Sequence, residues 1–118
     1  MNKRDIGSER EEQACSFLLK ENVQILDKNY HFHRMGEIDI IGKDGDYLVF
    51  FEVKYRKDDS KGSASMAVNF TKQRQISKTA LGYITQKRLS LNTPFRFDVI
   101  AIDGVKIEWI KNAFNFVG

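Results

Sequence analysis

Residues 36–56 of the chain read GEIDIIGKDGDYLVFFEVKYR. An Asp-Gly pair at 44–45 separates two apolar runs, and this arrangement is the strongest short-range signal for a β-hairpin. The second run, 48–51, is apolar at every position, which is typical of a strand buried on both faces in the middle of a sheet. The stretch therefore predicts two paired strands, 36–43 and 47–55, with the second at the centre of the sheet.

The flanking sequence predicts two helices and three further strands. A hydroxyl at Ser8 followed by glutamates is typical of a helix start, so a helix is expected over 9–21. Apolar residues at helical spacing predict a second helix over 69–87, between the third and fourth strands. Such a helix is the usual crossover that makes two strands parallel neighbours. The remaining strands are expected at 23–34, 95–102 and 105–110, which gives the order α-β-β-β-α-β-β.

The length and composition fit one compact domain spanning residues 1–118. The charged stretch 1–10 contains no apolar run, so no signal peptide is expected, and no stretch approaches the roughly 20 apolar residues that cross a bilayer. The single cysteine, Cys15, cannot form an internal disulfide or a cysteine-based zinc site. We therefore expect a soluble, cytoplasmic protein without membrane contact.

Basic residues are concentrated in one part of the chain. The net charge is +3, but residues 54–88 carry nine Lys or Arg and only two acids. Such a segment can contact phosphates, which dominate affinity for nucleic acid, although a solvated helix face and a loop would have the same composition. If the segment binds nucleic acid, the phosphate contacts are expected from Arg56, Lys57, Lys61 and Lys72.

The expected hairpin register places several charged residues on one face of the sheet. With 44–45 as a two-residue loop, Asp39 lies opposite Phe50 and Glu37 lies opposite Glu52. Residues directly opposite share a face, and so do residues two apart along a strand. A four-residue loop keeps this parity, whereas a three-residue loop destroys it. The residues predicted to share the face are Glu37, Asp39, Glu52 and Lys54.

Acids on central strands are costly unless something compensates their charge. Asp39 and Glu52 can converge on one Mg²⁺ or Mn²⁺ ion, since hard oxygen ligands select such ions, and the carbonyl of Val53 is a further candidate ligand. Lys54 could then orient or deprotonate a metal-bound water, or neutralise charge on a phosphate. An isolated Glu-x-Lys triplet is more often solvent-facing, but the matching parity of Asp39 favours a site that hydrolyses phosphodiesters.

The same residues resemble the signature of a known family. Stretches 36–41 and 48–56 are similar to the central motif of the YraN-type family of bacterial proteins. That family is itself similar to archaeal Holliday-junction resolvases within the PD-(D/E)xK nuclease superfamily. The likeness extends to 7–14 in the first helix, to 96–100 in the fourth strand, and to Lys72 near the start of the second helix.

The resemblance implies a restriction-endonuclease-like αβββαβ core, in which helices flank a mixed central sheet (α/β, bordering on α+β). It implies that Asp39 and Glu52 are metal ligands and that Lys54 is the catalytic lysine. Glu11 would be an acidic helper from the first helix, which would account for a carboxylate on that helix's apolar face. By analogy with the resolvases, the protein is expected to form a homodimer.

The function these observations favour is a metal-dependent DNA endonuclease that prefers branched or junction DNA. The alternative is a non-catalytic nucleic-acid-binding module that retains the nuclease fold. An RNA-directed enzyme and a protein-interaction domain using Phe114 and Phe116 are also open. Asp98 stands apart from the site: it is expected to form a structural pair with Arg96 two residues earlier.

Overall fold

The computed structural model describes residues 3–56 and 68–118, and it describes side chains at 9–55 and 68–118. The element order expected from the sequence is confirmed. No helix within these ranges is both long and apolar enough to span a membrane. The elements are α1 (Lys3–Lys20), β1 (Gln24–His31), β2 (Glu37–Asp44), β3 (Tyr47–Arg56), α2 (Phe70–Gln86), β4 (Phe95–Asp103) and β5 (Lys106–Phe114).

The five strands form one mixed sheet in the order β1-β2-β3-β4-β5, so β3 occupies the centre, as predicted. Strands β3 and β4 run parallel, with Phe50 beside Phe97, and the other neighbours are antiparallel. Helix α2 is the crossover between the parallel pair. This α+β architecture is consistent with a restriction-endonuclease-like core.

The two helices cover opposite faces of the sheet. Phe50 packs in a cluster with Ile76 and Ala80 of α2, whereas Phe51 packs in a second cluster with Leu18 of α1. Burying a large apolar side chain contributes about 1.5–3 kcal/mol. Because both phenylalanines are almost completely buried, β3 is stabilised from both sides and holds the residues that follow it in a fixed position.

The predicted register of the β2–β3 hairpin is wrong by two residues. Asp44 faces Tyr47 and Ile40 faces Phe51, so the two-residue loop is Gly45-Asp46 rather than Asp44-Gly45. Gly45 has a φ of 60°, the sign that a type II′ turn requires at its first central residue. A shift of two residues preserves the alternation of side chains, but it moves Asp39 away from its expected position opposite Phe50. It likewise removes the expected pairing of Glu37 with Glu52.

Candidate active site

The site begins where β2 separates from β3. The ladder between them runs only as far as Ile40 and Phe51, while β2 continues to pair with β1. Beyond that point the N–H of Val53 donates a 2.8 Å hydrogen bond to Oδ2 of Asp39 instead of to a backbone carbonyl. Residues two apart on a regular strand share a face of the sheet, yet Ile38 packs in the cluster beneath α2 and Ile40 packs in the cluster beneath α1. The strand therefore rotates at Asp39 and turns its carboxylate towards the end of β3.

The carboxyl groups of Asp39 and Glu52 meet in this gap. Continued one step past Ile40, the observed register sets Asp39 beside Glu52, and the two side chains share a hydrogen bond. Burial raises the pKa of Asp39 from 3.8 to about 8, and the hydrogen bond and charge of Glu52 act in the same direction. The Val53 N–H and the charge of Lys72 oppose this rise in pKa. Without a cation, the pair therefore holds a proton at neutral pH.

Lys72 reaches the same pair from the start of α2. Its Nζ lies 3.6 Å from Oε2 of Glu52, whose side chain is only 12% exposed against 40% for the lysine. The side chain of Asn69 caps the helix by accepting the Lys72 backbone N–H at 2.9 Å. Lys72, expected from the sequence to contact phosphate, thus lies within reach of both the Glu52 carboxylate and the solvent.

Glu11 of α1 approaches the site from the other side of the sheet. Burial raises its pKa, and the nearby charges of Asp39 and Glu37 raise it as well, while a hydrogen bond with Asn29 lowers it. Asn29 lies in β1 with a φ of 53°, a left-handed conformation that asparagine adopts more readily than most residues. Glu11 therefore lies within electrostatic range of Asp39, and its expected role as an acidic helper remains a prediction.

Lys54 lies two residues beyond Glu52 on β3, and strand alternation sets both side chains on one face. Its neighbour on β4 is the small residue Ala101. Among the residues that the structure describes, the half-buried Lys54 amine has no ion-pair partner. Val53 lies between Glu52 and Lys54 on the strand and donates its N–H to Asp39. In an extended residue the N–H and the C=O point to the same side of the strand. The Val53 carbonyl is thus aimed towards the acids.

The other charged candidates differ in what the structure shows of them. Glu37 lies beside His31, whose Nε2 is 3.6 Å from its Oε1. The Arg56 side chain and the whole of Lys57 and Lys61 lie outside the described residues. Their expected phosphate contacts therefore remain predictions.

Asp98 is structural, as expected. It is fully buried on β4 and accepts hydrogen bonds from Arg96 Nε at 3.0 and 3.1 Å. Two further donors were not foreseen: Trp109 Nε1 at 2.8 Å and the Asn112 N–H at 2.9 Å. Arg96 also donates to Asp44 at 2.6 Å. Asp98 accepts only from donors, one of them a cation, whereas Asp39 and Glu52 set two acids against each other.

The donor set fits a magnesium ion better than a metal held entirely by protein. Among the side chains that the structure describes, at 9–55 and 68–118, no three from His, Cys, Asp or Glu are close enough together to enclose a metal. Mg²⁺ does not need such a cage, because it keeps several waters and is usually bound by one or two carboxylates together with substrate phosphates. A carboxylate pair that otherwise shares a proton is a suitable ligand for such an ion.

The mixed five-stranded sheet with a helix on each face is an α+β fold consistent with the restriction-endonuclease-like class. The chain belongs to the uncharacterised protein family UPF0102, whose model matches residues 10–102. This confirms the YraN-type resemblance.

Relatives match the chain over nearly all of its length. A UPF0102 protein of Lachnoclostridium phytofermentans is 44% identical over 118 residues, covering 100% of this chain and 99% of the relative. A second from Thermodesulfovibrio yellowstonii is 47% identical over 110 residues, covering 93% and 96%. A third from Vibrio campbellii is 44% identical over 117 residues, covering 97% and 95%. The shared name assigns no activity, so function must be argued from the site.

Proposed function

We propose that this protein is a Mg²⁺- or Mn²⁺-dependent endonuclease that hydrolyses phosphodiester bonds in DNA and prefers branched substrates. The observation that carries the proposal is the Asp39–Glu52 carboxyl pair, which is largely buried and shares a hydrogen bond between two diverging strands. Such a pair is unfavourable for stability, since burial and mutual repulsion both oppose ionisation. A pair of this kind is better explained by a cation ligand than by packing.

In this proposal Asp39 and Glu52 hold the cation, and the carbonyl of Val53 supplies a further oxygen. A bound Mg²⁺ would lower the pKa of a water and polarise the phosphoryl oxygen. The acids must lose their shared proton to act as ligands, so binding favours the ionised pair. Lys72 neutralises part of the negative charge of Glu52 in the metal-free protein. With a cation bound, its exposed amine would be available to a substrate phosphate.

Lys54 and Glu11 act on the attacking water and the phosphate. Lys54 lies on the Glu52 face without an ion-pair partner among the described residues, so its amine is available to orient the water or to neutralise charge on the phosphate. Glu11, which is hydrogen-bonded to Asn29 and within electrostatic range of Asp39, would assist through a water rather than by direct contact. The preference for branched DNA and the formation of a homodimer rest on the resemblance to junction resolvases.

The activity can be tested with labelled junction, flap, linear duplex and single-stranded DNA, together with an RNA duplex, in Mg²⁺ or Mn²⁺. Wild type should cut at least one branched DNA, and Asp39→Asn should not. Asp46→Asn is the matched control, because this aspartate is exposed at the far turn of the same hairpin. If wild type cuts nothing, or only as Asp39→Asn does, the nuclease proposal fails. DNA binding without a metal would then favour the alternative, a non-catalytic nucleic-acid-binding module.

Analytical ultracentrifugation would show whether the protein forms the expected homodimer.

A further inference from the structure

A basic cleft lies beside the candidate active site. One wall is a face of α2 formed by residues at helical spacing, and the other is the loop between β1 and β2. The cleft has a volume of about 290 Å³. Its lining residues are Arg34, Met35, Phe70, Thr71, Arg74, Gln75 and Lys78.

All the charged residues that line this cleft are basic. Arg34, Arg74 and Lys78 are exposed, and none of the three has an ion-pair partner within the described parts of the chain. Helix α2 contains no Asp or Glu to balance them. Arg74 and Lys78 are four residues apart, and like charges at this spacing destabilise a helix. The clustering therefore opposes the stability of the helix and is better explained by an anionic ligand.

Two large apolar side chains are exposed in the same cleft. Phe70 is 63% exposed and Met35 is 43% exposed, so neither contributes to the core in the way that Phe50 does. An exposed aromatic ring among basic residues is the arrangement by which proteins hold single-stranded nucleic acid. The ring stacks on a base while the cations bind the adjoining phosphates. A paired duplex offers no free base face to such a ring.

The cleft lies next to the elements that carry the acidic pair. Lys72, which forms the ion pair with Glu52, is in the same first turn of α2 as Phe70, although residues two apart on a helix face different directions. On the other wall, Gly36 packs against α2 so closely that a Cβ there would lie 3.2 Å from Oγ1 of Thr79, and Glu37 of β2 follows directly. The cleft and the proposed site of hydrolysis therefore share the start of α2 and the start of β2.

We propose that this cleft binds an unpaired DNA segment, with Phe70 stacked on a base and Arg34, Arg74 and Lys78 on phosphates. From Phe70 to Lys78 the helix rises about 12 Å, which corresponds to roughly three stacked nucleotides at about 3.4 Å each. This inference rests on the proposed nuclease function, because the cleft would hold DNA for cleavage at the neighbouring site. It specifies a substrate in which the scissile bond adjoins single-stranded DNA, as in a flap or an open branch.

Binding can be measured apart from cleavage by fluorescence anisotropy in EDTA, with a labelled single strand and a blunt duplex. The variants are Phe70→Ala and the double variant Arg74→Ala/Lys78→Ala. The control is Lys20→Ala/Lys43→Ala, which also removes two exposed positive charges, but away from the cleft. Melting temperatures establish that all variants fold.

Phe70→Ala should weaken single-strand binding roughly 5- to 150-fold and leave duplex binding unchanged. The double charge variant should weaken single-strand binding at least about tenfold. It should also reduce the slope of log affinity against log salt concentration by about two, whereas the control should bind as wild type does. The proposal is overturned if both cleft variants bind like the control, or if Phe70→Ala affects strand and duplex equally. Because no metal is present, this failure is distinct from failure of the nuclease activity.

Discussion

Replacing Asp39 by asparagine should stabilise the metal-free protein at neutral and alkaline pH. The raised pKa means that the fold retains a proton that the unfolded chain has lost. The stability of wild type therefore falls as pH rises from about 4 towards 8. The asparagine side chain is neutral at every pH, and its amide oxygen can still accept the Val53 N–H. The substitution thus removes the penalty while keeping the hydrogen bond.

The size of the effect follows from the pKa of Asp39. A rise from 3.8 to about 8, at about 1.36 kcal/mol per unit, gives an upper bound of roughly 4 kcal/mol at pH 7. Water reaching the partly exposed carboxyl reduces this, so we expect the variant to gain ~1–3 kcal/mol at pH 8 and almost nothing at pH 4. Adding Mn²⁺ should reverse the order, because only wild type retains both acidic ligands.

Urea unfolding at pH 4 and pH 8, in EDTA and in Mn²⁺, measures these differences. Asp44→Asn is the matched control on the same strand. It should lose about 1–3 kcal/mol at pH 8, since Asp44 accepts a 2.6 Å hydrogen bond from Arg96. If Asp39→Asn is less stable than wild type in EDTA at pH 8, the buried acid carries no such penalty. If the gain in free energy of unfolding is the same at both pH values, the effect does not come from the titration of Asp39.

Four further outcomes are expected. Lys54→Met should lower DNA hydrolysis by about 10²–10⁴-fold while calorimetry shows unchanged Mn²⁺ affinity. Glu11→Gln should lower metal affinity or activity about 10–100-fold, measured by the same two assays. Asp98→Asn should cost ~3–5 kcal/mol in urea unfolding, because three donors lose a buried charge. Gly82→Ala should lose ~1–3 kcal/mol although alanine favours helices, since its Cβ would lie 2.4 Å from the Phe32 ring.

Each of these outcomes has a contradicting result. Loss of Mn²⁺ binding in the Lys54 variant would make that lysine structural, and full activity of Glu11→Gln would remove the helix from the mechanism. A neutral Asp98→Asn would mean that its hydrogen bonds do not need a charge. A stabilising Gly82→Ala would show that the Phe32 ring can move aside.

The sequence could predict the hairpin and the central strand because both depend on local signals. The apolar run at 48–51 is sufficient to predict a central strand, and the glycine at position 45 is sufficient to predict the turn. The loop position was missed because Asp44-Gly45 and Gly45-Asp46 are both acceptable two-residue loops, and tertiary packing chooses between them. Asp39 and Glu52 nevertheless meet in the structure, since a two-residue shift leaves the side-chain alternation unchanged as far as Ile40.

Other features depend on contacts between distant segments. The rotation of β2 at Asp39 cannot be predicted from the sequence, because Ile38 and Ile40, two residues apart, suggest a regular strand with both side chains on one face. The basic cleft requires the loop after β1 to pack on α2, and only the absence of acids from that helix hinted at it. The hydrogen bonds that Trp109 and Asn112 donate to Asp98 likewise come from β5, which no local pattern connects to Asp98.

The proposed nuclease activity requires that Asp39 and Glu52 together bind a divalent cation. Anomalous diffraction from crystals soaked in Mn²⁺ would locate such an ion. We expect a peak between the two carboxylates at coordination distance, about 2.1 Å for an ion of the Mg²⁺ type, with the Val53 carbonyl beside it and no peak in Asp39→Asn crystals. If this position stays empty in wild type at saturating Mn²⁺, the two acids do not bind the ion.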